Sequence, residues 1–164
     1  MKHKMIIFCT ALLVTALTPA AANAQVQAEH YTTKLFDCAI FPADYPTGFN
    51  GKHYTPTHSE VDKAESALKD SLKNVDCHNK SDMREILRNL KKYKLQVFAY
   101  TGLHGDTLLF INCFRNDKNK DKDIAASWLN TLIKVQNGGD YFWTIQYDVS
   151  TNQLFSFKEN GSWN

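Results

Sequence analysis

The strongest pattern along the chain is a stripe of apolar residues at helical spacing. Five of them recur every three or four positions and would share one side of a helix: Val61, Ala64, Leu68, Leu72 and Val75. Thr57 and Glu60 precede the stripe at the spacing of a capping box, in which each side chain accepts a hydrogen bond from the other residue's backbone N–H. A second, shorter stripe predicts another helix from about residue 82 to residue 92, capped by Ser81.

From residue 93 onward the apolar residues take the period of a β-strand. Residues 95–101 and 107–114 are rich in β-branched and aromatic side chains, and the short turn between them predicts a hairpin. Residues 137–148, NGGDYFWTIQYD, read as a glycine turn followed by a half-buried strand. A last strand is expected at 153–158. The residues expected on the buried face of the aromatic strand alternate along it: Tyr141, Trp143, Ile145 and Tyr147.

The order of these elements predicts the fold class. Helices precede strands, and the strands follow one another through short turns. We therefore expect an α+β protein in which two N-terminal helices pack on one face of a four- to five-stranded antiparallel meander sheet.

The beginning of the chain has the features of a secretory signal peptide. Lys2 and Lys4 precede an apolar stretch, and Ala22 and Ala24 provide the small residues of a cleavage site. The apolar stretch is short and no second one follows, so no membrane span is expected after leader cleavage. The protein is thus expected to be exported, to the periplasm or outside the cell. Three segments are predicted: a signal peptide (1–24), a loosely structured N-terminal segment (25–53) and a single α+β domain (54–164).

Removing the leader changes both the charge balance and the cysteine count. The chain has 19 basic and 17 acidic residues, and the leader contains two basic residues and no acidic ones. The remainder is balanced, which gives no electrostatic reason to expect nucleic acid or an anionic membrane surface as a partner. Cys38, Cys77 and Cys113 remain, and an oxidising compartment favours one disulfide and one thiol. Cys113 lies in an apolar strand, so a Cys38–Cys77 disulfide is the tentative prediction.

Short segments spread over residues 54–161 form a further pattern. They are Tyr54-Thr55-Pro56-Thr57 with Val61, Ala64-Glu65 and Leu68; Tyr93-Lys94-Leu95-Gln96; Gly105-Asp106; Ile111-Asn112; Gly138-Gly139-Asp140 with Tyr141-Phe142; Tyr147-Asp148; and Asn160-Gly161. Together they resemble an uncharacterised family of small exported α+β proteins of Gram-negative bacteria, which has no assigned activity. The resemblance implies a secreted α+β domain and no known substrate or cofactor. Such proteins often carry a cysteine after Gly-Gly-Asp, where this chain has Tyr141, so their disulfides do not transfer.

The charged loop after residue 114 has the spacing of half a metal site. Oxygen-bearing side chains alternate as in the first half of a calcium loop: Asp117, Asn119, Asp121 and Asp123. Lys122 stands where that loop needs glycine, and Trp128 stands where it needs a bidentate glutamate. The lysines between the acids also oppose the charge of the ion. A solvated loop is therefore predicted, with calcium as the alternative, and no metal or cofactor is expected.

No catalytic motif is recognisable in the sequence. There is no Gly-x-Ser-x-Gly elbow and no His-Glu-x-x-His helix, and no further zinc ligands stand at suitable spacing around Cys77 and His78. No catalytic residue is therefore assigned. His104 and Asp106 share a turn where a histidine could meet an acid, so an exported hydrolase acting there is one alternative.

Aromatic residues on the last strands predict a binding surface. If helices cover only one face of the sheet, rings on the other face would stay open to a partner. If a second layer covers them, the turns at 102–106 and 137–140 become the better candidates. The leading hypothesis is a small exported binding or inhibitor-like module for an unknown protein or small molecule, with a structural role in an envelope assembly as a further alternative. The candidate binding residues are Tyr100, His104, Asp106, Phe142, Phe155 and Phe157.

Overall fold

Seven strands and two substantial helices make up the part of the chain that the structure describes. The structure is a computed structural model that describes residues 26–115, 121–135 and 138–160. The predicted signal peptide, residues 1–24, lies outside them. In chain order the elements are β1 (Glu29–Thr32), β2 (Asp37–Ile40), β3 (His53–Tyr54), α1 (His58–Ser71), α2 (Lys80–Arg88), β4 (Lys94–Thr101), β5 (Thr107–Phe114), α3 (Lys122–Ser127), β6 (Gly139–Asp148) and β7 (Gln153–Asn160), with 3₁₀ turns at Leu72–Asn74 and Leu90–Lys92.

The strands form one mixed sheet in the order β1-β2-β4-β5-β6-β7. β4 to β7 form the antiparallel meander that the sequence predicts. β2, however, runs parallel to β4, with Cys38 opposite Leu95. β3 pairs with the other end of β4. The chain passes through both helices between β2 and β4, because a parallel pair needs a long crossover connection.

The α+β character is confirmed, but the predicted arrangement is wrong. The sheet has seven strands with one parallel pair, and the two substantial helices lie after β1 and β2 rather than at the N-terminus of the domain. The difference comes from residues 25–53, which the sequence predicts to be loosely structured and which supply β1, β2 and the first residue of β3. Strands of four or two residues show too little alternation to be recognised, and their pairing depends on a strand far along the chain.

The two helices begin at hydrogen-bonding caps. The backbone N–H of Thr57 donates to the Glu60 carboxylate at 2.8 Å, and the backbone N–H of Glu60 donates to the Thr57 hydroxyl, so the predicted capping box is confirmed. α2 begins earlier than predicted, because Asn79 rather than Ser81 accepts from the first free N–H groups. Within the described residues, no helix combines the length and the apolar character needed to cross a bilayer.

The helices cover one face of the sheet and bury the predicted stripes. Leu68 and Leu72 are fully buried against this face. On β6, Trp143 and Tyr147 are likewise fully buried, which confirms the predicted inner face of the aromatic strand. Tyr141, at the start of that face, is 39% exposed, and the Arg115 guanidinium lies over its ring at 3.8 Å. The aromatic stripe of β6 is therefore mainly core.

A second layer of irregular chain covers much of the opposite face. Residues 42–50 bring Phe49 against Phe110, with ring centroids 4.6 Å apart. The chain that follows α3 contributes Trp128 and Ile133, which are 7% exposed. The sheet is thus a central layer between the helices and these two segments.

The predicted Cys38–Cys77 disulfide is not formed. Cys38, Cys77 and Cys113 are all free thiols. Cys38 is buried in β2, whereas Cys77 lies beside β7, which is four strand spacings or roughly 19 Å away across the sheet. Cys113 lies on the far side of Leu95 from Cys38, roughly 10 Å away at two strand spacings. Both separations exceed the Cα distance that a disulfide tolerates.

Candidate functional site

An open cleft lies where the chain leaving α1 runs beside the last strand. The connection from the 3₁₀ turn after α1 to α2 and the first half of β7 form its two walls, and its volume is about 570 Å³. Its lining combines apolar and polar side chains. We call it the β7 cleft, and it is lined by Ser71, Asn74, Val75, Asp76, Cys77, His78, Asn152, Gln153, Leu154, Phe155, Ser156 and Phe157.

A β-bulge shapes the strand wall of the cleft. Ser156 and Phe157 together oppose Ile145 of β6, and Ser156 has a φ of +50°. In a regular strand, Phe155 and Phe157 would share one face. The bulge turns them to opposite faces, so Phe157 joins the helix-side core, where its ring centroid is 5.7 Å from that of Trp143. Both phenylalanines still line the cleft, so two of the six predicted binding residues lie at this site.

A partly exposed thiol stands on the opposite wall. Burial raises the pKa of Cys77, and the charges of Glu159 and Asp76 raise it further, while Lys80 acts in the other direction. The thiol is therefore protonated at neutral pH and is a weak nucleophile, because the thiolate is the reactive form. His78, next to it, is exposed at the cleft.

A carboxylate in an unusual environment lies next to the cleft. Glu159 is opposite Trp143 in the β6–β7 pair, and its Oε1 atom is buried without a hydrogen-bond partner among the described residues. Burial raises the pKa of Glu159 and the charge of Asp82 raises it further, while His78 lowers it. A buried oxygen that accepts no hydrogen bond is unfavourable.

The structure places two further predicted binding residues under the second layer. The Tyr100 hydroxyl donates to Gln146 Oε1 at 2.8 Å, and its ring stacks on Phe49 at 5.5 Å. Phe142 is half-buried against the same cluster. Tyr100 and Phe142 therefore do not form an open patch with Phe155, because irregular chain covers the face that helices leave free.

His104 and Asp106 lie in the turn between β4 and β5. His104 is exposed and Asp106 is half-buried. The turn is closed by its backbone, in which Gly102 N–H donates to the Asp106 carbonyl at 2.8 Å. Among the described residues, no carboxylate accepts a hydrogen bond from His104.

Two of the four residues of the calcium-like spacing, Asp117 and Asn119, lie outside the described residues. Asp121 is the N-cap of α3, and its carboxylate accepts from the backbone N–H groups of Asp123 and Ile124 at 3.0 and 3.1 Å. In residues 26–115, 121–135 and 138–160, no three His, Cys, Asp or Glu side chains are grouped as metal ligands. Asp121 therefore has a structural role at the start of a helix.

Sequence reasoning gave no binding role to the ten other residues that line the cleft, among them Val75 and Cys77, or to Glu159 beside it. The cleft exists because two segments about 80 residues apart in the chain lie side by side, and no local pattern encodes that contact. One signal was available in the sequence. Glu159 follows the apolar Phe157 by two residues, so both side chains point to the same face of β7. A charged residue at an inward-facing position of an edge strand indicates either a functional site or a charge that hinders pairing of the sheet edge with another chain.

Known proteins offer no further guide to this site. The chain was compared with protein-family models, curated proteins and solved structures, and no family model, curated protein or solved structure matches it.

Proposed function

We propose that the protein is a small exported binding module that holds a ligand in the β7 cleft. The observation that carries this proposal is the cleft itself, because about 570 Å³ is within the range of small-molecule sites. The leader-like residues 1–24 support export to the periplasm or the outside of the cell. An inhibitor-like role, in which the ligand is a side chain of another protein, uses the same cleft.

The walls of the cleft define the chemistry of the ligand. Val75, Leu154 and Phe157 offer apolar surface, so the ligand has an apolar part. Asp76 offers oxygen acceptors at the cleft, and the negative charges of Asp76 and the nearby Glu159 both act on Cys77. A small molecule or peptide side chain that joins an apolar group to an amine fits both features.

Binding rather than nucleophilic catalysis follows from the state of the thiol. The pKa of Cys77 is raised by burial and by neighbouring acidic charges, which keeps the thiol protonated. A catalytic cysteine needs the opposite environment, with positive charge or a helix N-terminus that stabilises the thiolate. Cys77 therefore serves as a wall of the cleft.

Filling the cleft tests the proposal. Immobilised protein is incubated with a cell-envelope extract, and retained molecules are identified by mass spectrometry. Asn74→Trp places a large ring at the cleft from an exposed position, and Lys134→Trp adds the same ring at an exposed position in the second layer. In the protein without residues 1–24, which contain Cys9, alkylation of Cys77 with a maleimide is an independent block, since Cys38 and Cys113 are buried.

The proposal requires a molecule that the wild type and Lys134→Trp retain and that both cleft-blocked forms lose. Equal retention by all four forms would place the ligand elsewhere. Retention of nothing by the wild type would also count against a binding module. Circular dichroism of each form establishes that the blocked proteins are folded.

A further inference from the structure

The outer side of α2 carries an exposed row of basic side chains. The first three are spaced four residues apart and are neighbours along the helix. The row continues into the 3₁₀ turn after α2, so it extends over roughly 20 Å. The basic row consists of Lys80, Arg84, Arg88, Lys91 and Lys92, and all five are exposed.

Acidic side chains do not neutralise the basic row. Residues 80–92 contain two acids, Asp82 and Glu85, and both are half-buried. Glu85 pairs with Arg88 at 2.7 Å, while the charge of Asp82 acts on Glu159 near the β7 cleft. Among the described residues, no ion pair joins an acid to the other four members of the row. The row is therefore a local excess of positive charge on a chain of nearly balanced composition.

The stability of α2 does not account for the whole row. Arg88 and the two lysines that follow it lie near the C-terminus of the helix, where positive charge interacts favourably with the helix dipole. Lys80 is in the first turn, where the same interaction is unfavourable. Like charges four residues apart, as in Lys80 and Arg84, also repel each other. The row therefore costs α2 some stability, which an interaction outside the molecule would offset.

We propose that the basic row docks the protein on an anionic lipid surface, where its side chains contact lipid phosphate groups. The row lies on the outer side of α2, because the helix buries Met83 and Ile86 on its inner side. A cluster of basic side chains along one exposed side of a helix is attracted to an anionic lipid surface.

Other partners fit the row less well. A protein interface needs an apolar centre, and Leu87 and Leu90 beside the row pack into the helix-side core instead. Sites for single-stranded nucleic acid add stacked aromatic rings, and the row contains none. This docking surface adjoins the β7 cleft at Lys80, whose charge acts on Cys77, but it does not depend on a ligand in the cleft.

Vesicle sedimentation with residues 25–164, the form expected after leader cleavage, tests the docking surface, because the apolar leader would itself bind both kinds of vesicle. One set of vesicles contains phosphatidylglycerol and phosphatidylcholine, and the other contains phosphatidylcholine alone. Arg84→Gln with Lys91→Gln removes two charges of the row without touching the Arg88–Glu85 pair. Lys134→Gln with Lys158→Gln removes two exposed charges on the opposite side of the sheet.

We expect the wild type to bind the anionic vesicles and to be released by high salt. The row variant should bind about 25-fold more weakly, at about fivefold for each basic side chain near the surface. The control should change by less than about threefold, because its charges are farther from the surface than a Debye length.

Three results would overturn the proposal. The wild type could bind both kinds of vesicle equally, or the row variant and the control could lose the same affinity. The wild type could also bind duplex DNA or heparin at a salt concentration at which it ignores anionic vesicles. Matching thermal unfolding curves show that a loss in the row variant does not come from misfolding.

Discussion

Two buried amide side chains, Gln96 and Asn112, hold the second layer on the sheet. The Gln96 amide donates to the carbonyls of Trp128 and Thr131 at 2.6 and 2.8 Å, and its oxygen accepts from the Ile133 N–H at 2.8 Å. The Asn112 amide donates to Gln96 and to the Ile133 carbonyl, both at 2.9 Å. Backbone groups without a strand partner are thus satisfied by side chains.

Replacing Gln96 with leucine should therefore destabilise the protein strongly. Gln96→Leu keeps the approximate volume but leaves three backbone groups unpaired, so we expect a loss of about 2–4 kcal/mol in the free energy of unfolding. Urea denaturation measures it, and Gln153→Leu at an exposed position of β7 is the control. A loss below about 1 kcal/mol would mean that water replaces these bonds at little cost.

Glu159 predicts a stability difference that depends on pH. Burial raises its folded pKa, so the folded state favours the protonated form and loses stability as pH rises through that pKa. Glu159→Gln removes this cost, and its melting temperature should exceed that of the wild type at neutral pH. The difference should vanish below about pH 4, where the carboxyl is protonated in both states.

Calorimetry at several pH values checks this prediction. Asp70→Asn removes an exposed carboxylate from α1 and should leave the melting temperature almost unchanged. A lower melting temperature for Glu159→Gln at neutral pH would show that the carboxylate is stabilised in the folded protein.

Among the secondary-structure elements, β7 depends most on an irregularity. Ser156 adopts a φ of +50°, a conformation in which residues with a Cβ atom are strained and glycine is not. The bulge there sends Phe155 and Phe157 to opposite faces and so forms one wall of the β7 cleft. Strand parity alone could not reveal it, because a bulge reverses the parity of every residue beyond it.

The effects of substitutions at Ser156 on stability should depend on its positive φ rather than on the strand propensity of the new residue. Ser156→Gly should stabilise the protein by about 0.5 kcal/mol, and Ser156→Val should destabilise it by more than about 1 kcal/mol, because β-branched residues disfavour positive φ. Chemical denaturation measures both. Gln153→Val, in the extended part of β7, should have little effect or stabilise the strand. A stabilising Ser156→Val would contradict the bulge.

For the whole molecule, the segment before α1 is part of the core. β2 buries Cys38, Ala39 and Ile40 and supplies the parallel partner of β4. Phe41 stacks on Phe98 of β4, with ring centroids 4.3 Å apart. A domain that began at residue 54, as the sequence predicts, would lack these contacts.

A chain that begins at residue 54 should therefore fail to fold cooperatively. Removing β1 and β2 exposes the edge of β4 and uncovers apolar side chains on both of its faces. Near-ultraviolet circular dichroism and dye binding should report lost packing and exposed apolar surface. A chain that begins at residue 26 is the control and should unfold in one transition. If both chains unfold in one transition of equal cooperativity, the domain boundary predicted at residue 54 is correct.

Charge also has to be considered for the whole molecule. The balance of acids and bases after the predicted leader gives no reason to expect an anionic partner, yet five basic residues share one exposed row on α2. A net charge sums over the surface, whereas a partner meets one side of it. The spacing of Lys80, Arg84 and Arg88 was visible in the chain, but their exposure and the positions of the nearby acids were not.

Patterns within short stretches were enough to define the two helices, the α1 cap, the meander and the buried face of β6. Each depends on residues that are close in the chain, so periodicity and capping chemistry encode it directly. The parallel pairing of β2, the second layer and the β7 cleft depended on packing between segments far apart in the chain. Their free energy comes from burial and hydrogen bonds shared by those segments, and no single stretch contains that information.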